Sequence, residues 1–242
     1  REKLTWFDRR FLRLVARVLV PHGAGADGLI RQGVPGEKIV EVAPAVADAP
    51  PLPDRDTFLR ANDLPPDAKM IMSAGRMGTR LRLFDAVWAF EVLRYGDPAI
   101  HLVVVGDGPG REGMQRTAHS LAPEGTQTRF LGARSDTSAL LGLADVVYVP
   151  NRAGGVNVAL EAMAAGRAVV ANKTPDLADV IRDGETGFLI PVGDHTATAR
   201  RLWQILRDPV ERARVGEAAR RMVHDRHNVP TLVCAMEDIY GE

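Results

Sequence analysis

Between residues 70 and 190, six short apolar runs alternate with stretches of helical periodicity, and this alternation limits the fold more than any other feature. The runs lie at 70–74, 102–105, 128–131, 146–149, 168–171 and 187–190. Helical patterns separate them at 83–94, 111–121, 138–143, from Val156 onward, and near 176–182. A run that is apolar without alternation reads as a strand buried on both faces, and strands joined through helices pair in parallel. The fold class expected is therefore α/β, a doubly wound parallel sheet covered by helices on both faces. At 242 residues the chain can bury a substantial core around such a sheet.

The flanks read differently. Leu4, Phe7, Phe11, Leu14, Val15 and Val18 recur at helical spacing, with Arg9, Arg10, Arg13 and Arg17 mostly around the remaining face. This amphipathic helix fits a basic surface lying on an anionic membrane or, more commonly, an ordinary helix with a solvated arginine face. A strand at 18–20, a glycine-rich turn and a short helix at 27–32 follow. Pro44, Pro50, Pro51 and Pro53 then fall within 43–54, where they remove backbone donors and fix φ, so this segment reads as a linker. From 196 to 240 the pattern is helical, interrupted at Asp208-Pro209 and at 228–230.

Composition excludes several function classes. Lys plus Arg and Asp plus Glu both number 31, so net charge offers no general attraction to nucleic acid. Cys234 is the single cysteine, and the six histidines are scattered apart from His224 and His227, which lack other plausible ligands nearby, so a disulfide framework and a metal site are not expected. No apolar run reaches membrane-spanning length and no signal peptide precedes the first charges, so a cytoplasmic protein is expected, with the inner face of the membrane left open. Because the chain begins with Arg1 rather than Met, a fragment or a processed product is expected.

Chemistry concentrates where strands meet glycine. After 146–149 comes Asn151-Arg-Ala153-Gly154-Gly155-Val156-Asn157-Val-Ala-Leu-Glu161-Ala-Met-Ala-Ala-Gly166, a glycine turn opening a helix. Gly154 and Gly155 let backbone approach a phosphate, and the helix start at Val156 offers free N–H groups to an anion. Glu161 either turns toward a ribose, accepting hydroxyl hydrogen bonds, or is an ordinary exposed helical residue. After 70–74, Gly75-Arg76 leads to Arg80-Leu81-Arg82, arginines that either neutralise a diphosphate or solvate a loop. Gly106-Asp-Gly108-Pro-Gly110 suggests a dinucleotide fingerprint, but Arg111 stands where its third glycine belongs, and a tight turn with a helix start explains it equally well.

The 151–166 stretch resembles the E-G-x-x-N-V-x-L-E-A-M-A-x-G signature of retaining glycosyltransferases of group 1, the GT4 type, and the resemblance runs from about residue 25 to the last helix. Gly33-Val-Pro-Gly-Glu-Lys-Ile-Val-Glu-Val42 is similar to the segment closing the family's N-terminal half. Gly75-Arg76 resembles its G-R-L-x-x-x-K-G loop, Gly106-Asp-Gly108-Pro its V-G-x-G-P turn, and Thr128-Arg-Phe130-Leu-Gly132 the V-x-F-L-G segment that seats the base. Ile181-Arg-Asp-Gly184-Glu-Thr-Gly187-Phe-Leu-Ile190 resembles I-x-D-G-x-T-G-x-L. There are three departures. Ala153 replaces the first signature acid, Leu81 falls on the family lysine, and Pro175-Asp176 stands where Gly-Gly is common.

The resemblance implies the C-terminal, Rossmann-like half of a GT-B fold, with residues 1–50 closing the N-terminal half and linking, and 51–242 binding the nucleotide sugar. It implies transfer from a UDP- or GDP-sugar to a hydroxyl acceptor, lipid-linked or polysaccharide, with retention, no cofactor and no obligatory metal. Peripheral membrane association is one option it leaves. The binding residues it implies are Gly75, Arg76, Arg80, Arg82, Gly132, Gly154, Gly155, Val156, Asn157 and Glu161. No catalytic residue is assigned, since Ala153 holds that place. The acceptor site would belong to the N-terminal half, so this chain alone is not expected to turn over. The alternative is a catalytically degenerate domain serving as a nucleotide-binding or protein-interaction module, which Ala153 and Leu81 favour because each removes an ionic contact.

Overall fold

The computed structural model describes residues 5–21, 23–78, 83–122 and 127–241. Helix α1 (Trp6–Leu14) starts on a capping box, with Asp8 N donating to Thr5 Oγ1 at 3.2 Å and Thr5 N to Asp8 Oδ2 at 2.8 Å. Strand β1 (Val18–Val20), helix α2 (Gly23–Ile30), a 3-10 turn (Gly36–Lys38) and strand β2 (Ile39–Glu41) form a small unit whose two strands pair in parallel. Then come α3 (Arg55–Ala61), β3 (Lys69–Ala74), α4 (Leu83–Gly96), β4 (Ile100–Val105), α5 (Arg111–Leu121), β5 (Thr128–Gly132), α6 (Thr137–Leu141), β6 (Val146–Val149), α7 (Val156–Ala164), β7 (Ala168–Asn172), α8 (Pro175–Ala178) and β8 (Phe188–Ile190). The chain ends in α9 (His195–Arg207), α10 (Pro209–Arg226) and α11 (Val229–Gly241). Among the described residues, no helix is long and apolar enough to cross a membrane.

Strands β3 to β8 form one parallel sheet in the order β5-β4-β3-β6-β7-β8. Numbered within this sheet the order is 3-2-1-4-5-6, the dinucleotide-fold arrangement, and the direction of winding reverses between β3 and β6. Those two strands pair only at Ile71–Val146 and Met72–Val147. Beyond that point the Ser73 hydroxyl donates to the Tyr148 carbonyl at 2.6 Å, and the strand ends part. A crevice at this reversal is where open α/β sheets bind ligands.

Continuous apolar sequence in the strands is explained by what covers them. Phe58, Leu59, Leu140, Leu160, Met163, Leu177 and Val223 pack one face with Met70, Met72, Val103 and Val147. Val87, Phe90, Ala118, Leu202 and Ile205 pack the other with Ile71, Leu102, Val104 and Tyr148. Each fully buried Leu or Phe contributes on the order of 1.5–3 kcal/mol, so neither face can be left bare.

One local expectation changes. The glycine-rich turn expected before 27–32 is itself the first turn of α2, which begins at Gly23, and 31–33 form the turn instead. Glycine costs a helix about 1 kcal/mol, but α2 packs on β1, β2 and α8 with Ala26 buried, and tertiary contact outweighs propensity. The proline-rich 43–54 is irregular as expected up to the start of α3, yet it is pinned. Val46 N donates to the His227 carbonyl at 2.8 Å, and His227 Nδ1 lies 2.8 Å from the Pro44 carbonyl oxygen.

Candidate functional site

The turns that end β3 and β6 face each other across the reversal. Gly75 and Arg76 line one side of a hollow of about 400 Å³, and Asn151, Gly154, Gly155, Val156, Asn157 and Val158 line the other. Asp176 and Val180 close it from the α8 side, and Pro21 and Pro44 from the N-terminal unit. Gly155 caps α7 with φ at +89°, and an added Cβ there would lie 2.7 Å from Val149 Cγ1, so glycine is required twice over. The first intrahelical bond of α7 runs from Ala159 N to the Gly155 carbonyl at 3.0 Å. The N–H groups of the preceding turn have no partner within the helix, and its dipole favours negative charge there. Arg76 is exposed at the rim, and Asn151 Oδ1 is buried with no partner among the described residues.

A second hollow of about 560 Å³ adjoins the first, sharing Asn157. Glu161 lies one turn along the same helix face, and 45–50, Ser135, Asp136, Ser138, Ala139 and Ala164 complete the lining. Ser138 donates to Glu161 Oε2 at 2.7 Å, which fixes the carboxylate toward α6. Asp136, with its pKa held down by the Arg134 guanidinium, adds a second charge at the entrance.

The structure thus brings Gly75, Arg76, Gly154, Gly155, Val156 and Asn157 to one hollow, and Asn157 and Glu161 to its neighbour. Gly132 lines neither. Its φ is +75°, its carbonyl accepts from Gly106 N at 2.7 Å, and it belongs to the turn packing behind the site. Arg80, Leu81 and Arg82 lie outside the described residues.

Gly106 and Gly108 line neither hollow either. A Cβ on Gly106 would stand 2.0 Å from the Gly75 carbonyl oxygen, and one on Gly108 would stand 2.4 Å from that of Met77. Gly75 N donates to the Val105 carbonyl, Met77 N to the Asp107 carbonyl and Gly110 N to the Met77 carbonyl. These glycines let one backbone turn press on another and so hold the Arg76 loop from behind.

Sequence reasoning missed two residues. Ser138 gives no signal of its own, since it meets Glu161 only because α6 and α7 pack together. Asp176 had a signal, an acid in place of a common glycine, but not a location. It is 9% exposed, and its Oδ2 accepts the Gly154 N–H at 2.5 Å. A carboxylate thus already sits on one backbone amide of the turn that reads as a phosphate site.

A model of the family described as glycosyl transferases group 1 matches residues 54–222, which is more than half the chain. Among curated proteins, the D-inositol 3-phosphate glycosyltransferase of Salinispora tropica is 34% identical over 196 residues, 76% of this chain and 40% of that protein. The phosphatidyl-myo-inositol mannosyltransferase of Mycobacterium leprae is 33% identical over 213 residues, 84% of this chain and 49% of that protein. The lipopolysaccharide core biosynthesis glycosyltransferase LpsE of Rhizobium meliloti is 33% identical over 156 residues, 64% of this chain and 44% of that protein. The chain therefore spans less than half the length of these relatives. The structure of Anabaena HepE in complex with UDP and glucose superposes with a TM-score of 0.87 at 19% identity, covering 98% of this chain and 66% of that one. With its family match across both turns of the crevice, the chain belongs to the group 1 glycosyl transferases, and its parallel sheet has the fold of the C-terminal half of a GT-B protein.

Proposed function

We propose that the crevice between β3 and β6 binds the diphosphate of a nucleotide sugar, UDP- or GDP-linked, and that the whole protein transfers the sugar to a hydroxyl acceptor with retention. One observation carries the reading. The Gly75-Arg76 turn and the Gly155-capped start of α7 line one hollow, and a second hollow that shares Asn157 with it is lined by Glu161. An extended nucleotide sugar fits that path, with the diphosphate against Arg76 and the α7 amides and the ribose hydroxyls on Glu161. The UDP bound in the HepE structure supports a nucleotide of this kind.

In this reading the acceptor oxygen bonds to the anomeric carbon as the carbon–oxygen bond to the diphosphate breaks, and the acceptor proton passes to the departing diphosphate. Charge grows on the leaving oxygens. Arg76 and the α7 amides stabilise it from fixed positions, and the reading requires no metal ion. The names of the Mycobacterium and Rhizobium relatives support an acceptor on a lipid or polysaccharide, and the reading extends to peripheral association at the inner face of a membrane. Ala153 favours a second reading, a domain that binds nucleotide without chemistry.

Calorimetric titration with UDP and GDP tests the binding. Dissociation constants at or below about 1 mM, weakened at least about tenfold by Arg76→Ala, are expected. No heat with either nucleotide overturns the reading. Release of UDP or GDP from nucleotide sugar by the full-length protein, measured with and without acceptor, separates transferase from binding module.

A further inference from the structure

Asp176 is the one acid lining the hollow at the reversal among the described residues. It sits in the first turn of α8, reached 22 positions after Gly154, and its burial to 9% exposure is compensated by the 2.5 Å hydrogen bond from Gly154 N. No other hydrogen bond to this carboxylate comes from the described residues, so Oδ1 keeps its acceptor capacity, and Asp176 lines the hollow. Ala153, the residue before Gly154, is exposed and carries no polar group. The turn therefore has a carboxylate after all, delivered from the neighbouring loop and tied to the backbone next to Ala153.

We propose that Asp176 is the specificity-determining acid of this cleft: it accepts hydrogen bonds from the hydroxyls of an uncharged donor sugar and excludes donors whose sugar carries a carboxylate. The assignment rests on the donor-cleft reading above. Two features decide the class of sugar. A buried carboxylate that already accepts one N–H gains from further hydroxyl donors and is destabilised by a second negative charge in the same confined space. The charges that attract the diphosphate, Arg76 and the free α7 amides, line the other walls of the same hollow. The diphosphate is drawn to those walls and away from the amide that Asp176 occupies, leaving the sugar to meet Oδ1.

The test is titration of wild type, Asp176→Asn and Asp176→Gly with UDP, UDP-glucose and UDP-glucuronate, and with GDP, GDP-mannose and GDP-mannuronate. Asparagine keeps an acceptor oxygen for Gly154 N, removes the charge and puts an NH2 donor in place of Oδ1, and glycine restores the residue common in the family. Wild type is expected to bind the neutral sugar nucleotide at least about tenfold more tightly than its uronate counterpart, and both variants to bring that ratio within about threefold. If wild type binds the bare nucleotide but the ratio is near one, or is unchanged in the variants, the assignment fails while the donor-cleft reading stands. Failure of wild type to bind any of the six compounds overturns both. Loss of the folded state in both variants, read by circular dichroism, makes Asp176 a structural brace of the Gly154 turn and overturns the assignment.

Discussion

The Ser138 hydroxyl donates to Glu161 Oε2 across 2.7 Å, joining α6 to the second turn of α7 at the wall of the larger hollow. The bond holds Glu161 in one orientation before any ligand arrives, so part of the ordering cost of binding is already met. A carboxylate left to rotate in solvent would lose that freedom on binding.

Glu161→Ala is accordingly expected to weaken UDP or GDP binding by about 1.5–3 kcal/mol, the range for hydrogen bonds to a charged group. Ser138→Ala leaves the carboxylate but frees it, and about 0.5–1.5 kcal/mol is expected. In the double variant the two effects should not add, because the serine acts only through the glutamate. Additive losses in a calorimetric double-mutant cycle would mean that Ser138 contacts the nucleotide independently.

Behind the Arg76 loop, Gly106→Ala introduces a Cβ 2.0 Å from the Gly75 carbonyl at a backbone φ of +131°. Strain and overpacking together predict a loss of about 2–4 kcal/mol in denaturant unfolding. Because the clash is with the turn that presents Arg76, nucleotide affinity should fall as well. Gly113→Ala, where an added Cβ meets nothing within 4 Å, is the control, and equal losses in the two variants would refute the account.

His101, on β4, is 5% exposed, and burial pushes its pKa below the ordinary 6.5, assisted by the nearby Arg129 charge and opposed by the Gln127 backbone and Asp67. The unfolded chain takes up this proton near pH 6.5, whereas the folded protein takes it up only at lower pH. Stability is therefore unaffected by this group well above pH 6.5 and falls as pH drops from there toward the folded pKa. Thermal melts of wild type should lose a few degrees more between pH 7 and pH 5 than those of His101→Leu. Parallel pH profiles would show that His101 titrates alike in both states.

The six strands were legible in the sequence because a strand covered on both faces has no polar alternation to lose, and Val103, Val147 and Val169 are all fully buried. The glycine turns at 75 and 154–155 were legible as backbone that must come close to something. What that something is was not, since Gly106 and Gly154 look alike in sequence while a Cβ added to one would stand 2.0 Å from the Gly75 carbonyl oxygen and one added to the other would meet nothing within 4 Å. Asp176 was visible only as an anomaly. Its meeting with Gly154 depends on how the loop after β7 crosses the one after β6, a relation between loops of adjacent strands that local pattern does not encode. Helix α2 was misplaced at its start for the same reason, because packing against β1, β2 and α8 outweighs the glycine penalty.

The Asp176 assignment makes Ala153→Glu conditional. Ala153 is exposed, so the new carboxylate stays hydrated and the melting temperature should hold within a few degrees. In the wild-type background the new charge arrives beside Asp176, and mutual repulsion should cancel most of what it gains from sugar hydroxyls. With Asp176→Gly the repulsion is gone, and Ala153→Glu should tighten UDP-glucose or GDP-mannose over the bare nucleotide by about 1 kcal/mol, roughly fivefold. The coupling between the two substitutions is the quantity to measure, by a calorimetric double-mutant cycle on the ratio of sugar-nucleotide to nucleotide affinity. A gain of equal size in both backgrounds would show that residues 153 and 176 do not face the same sugar, and no gain in either would show that residue 153 does not face one at all.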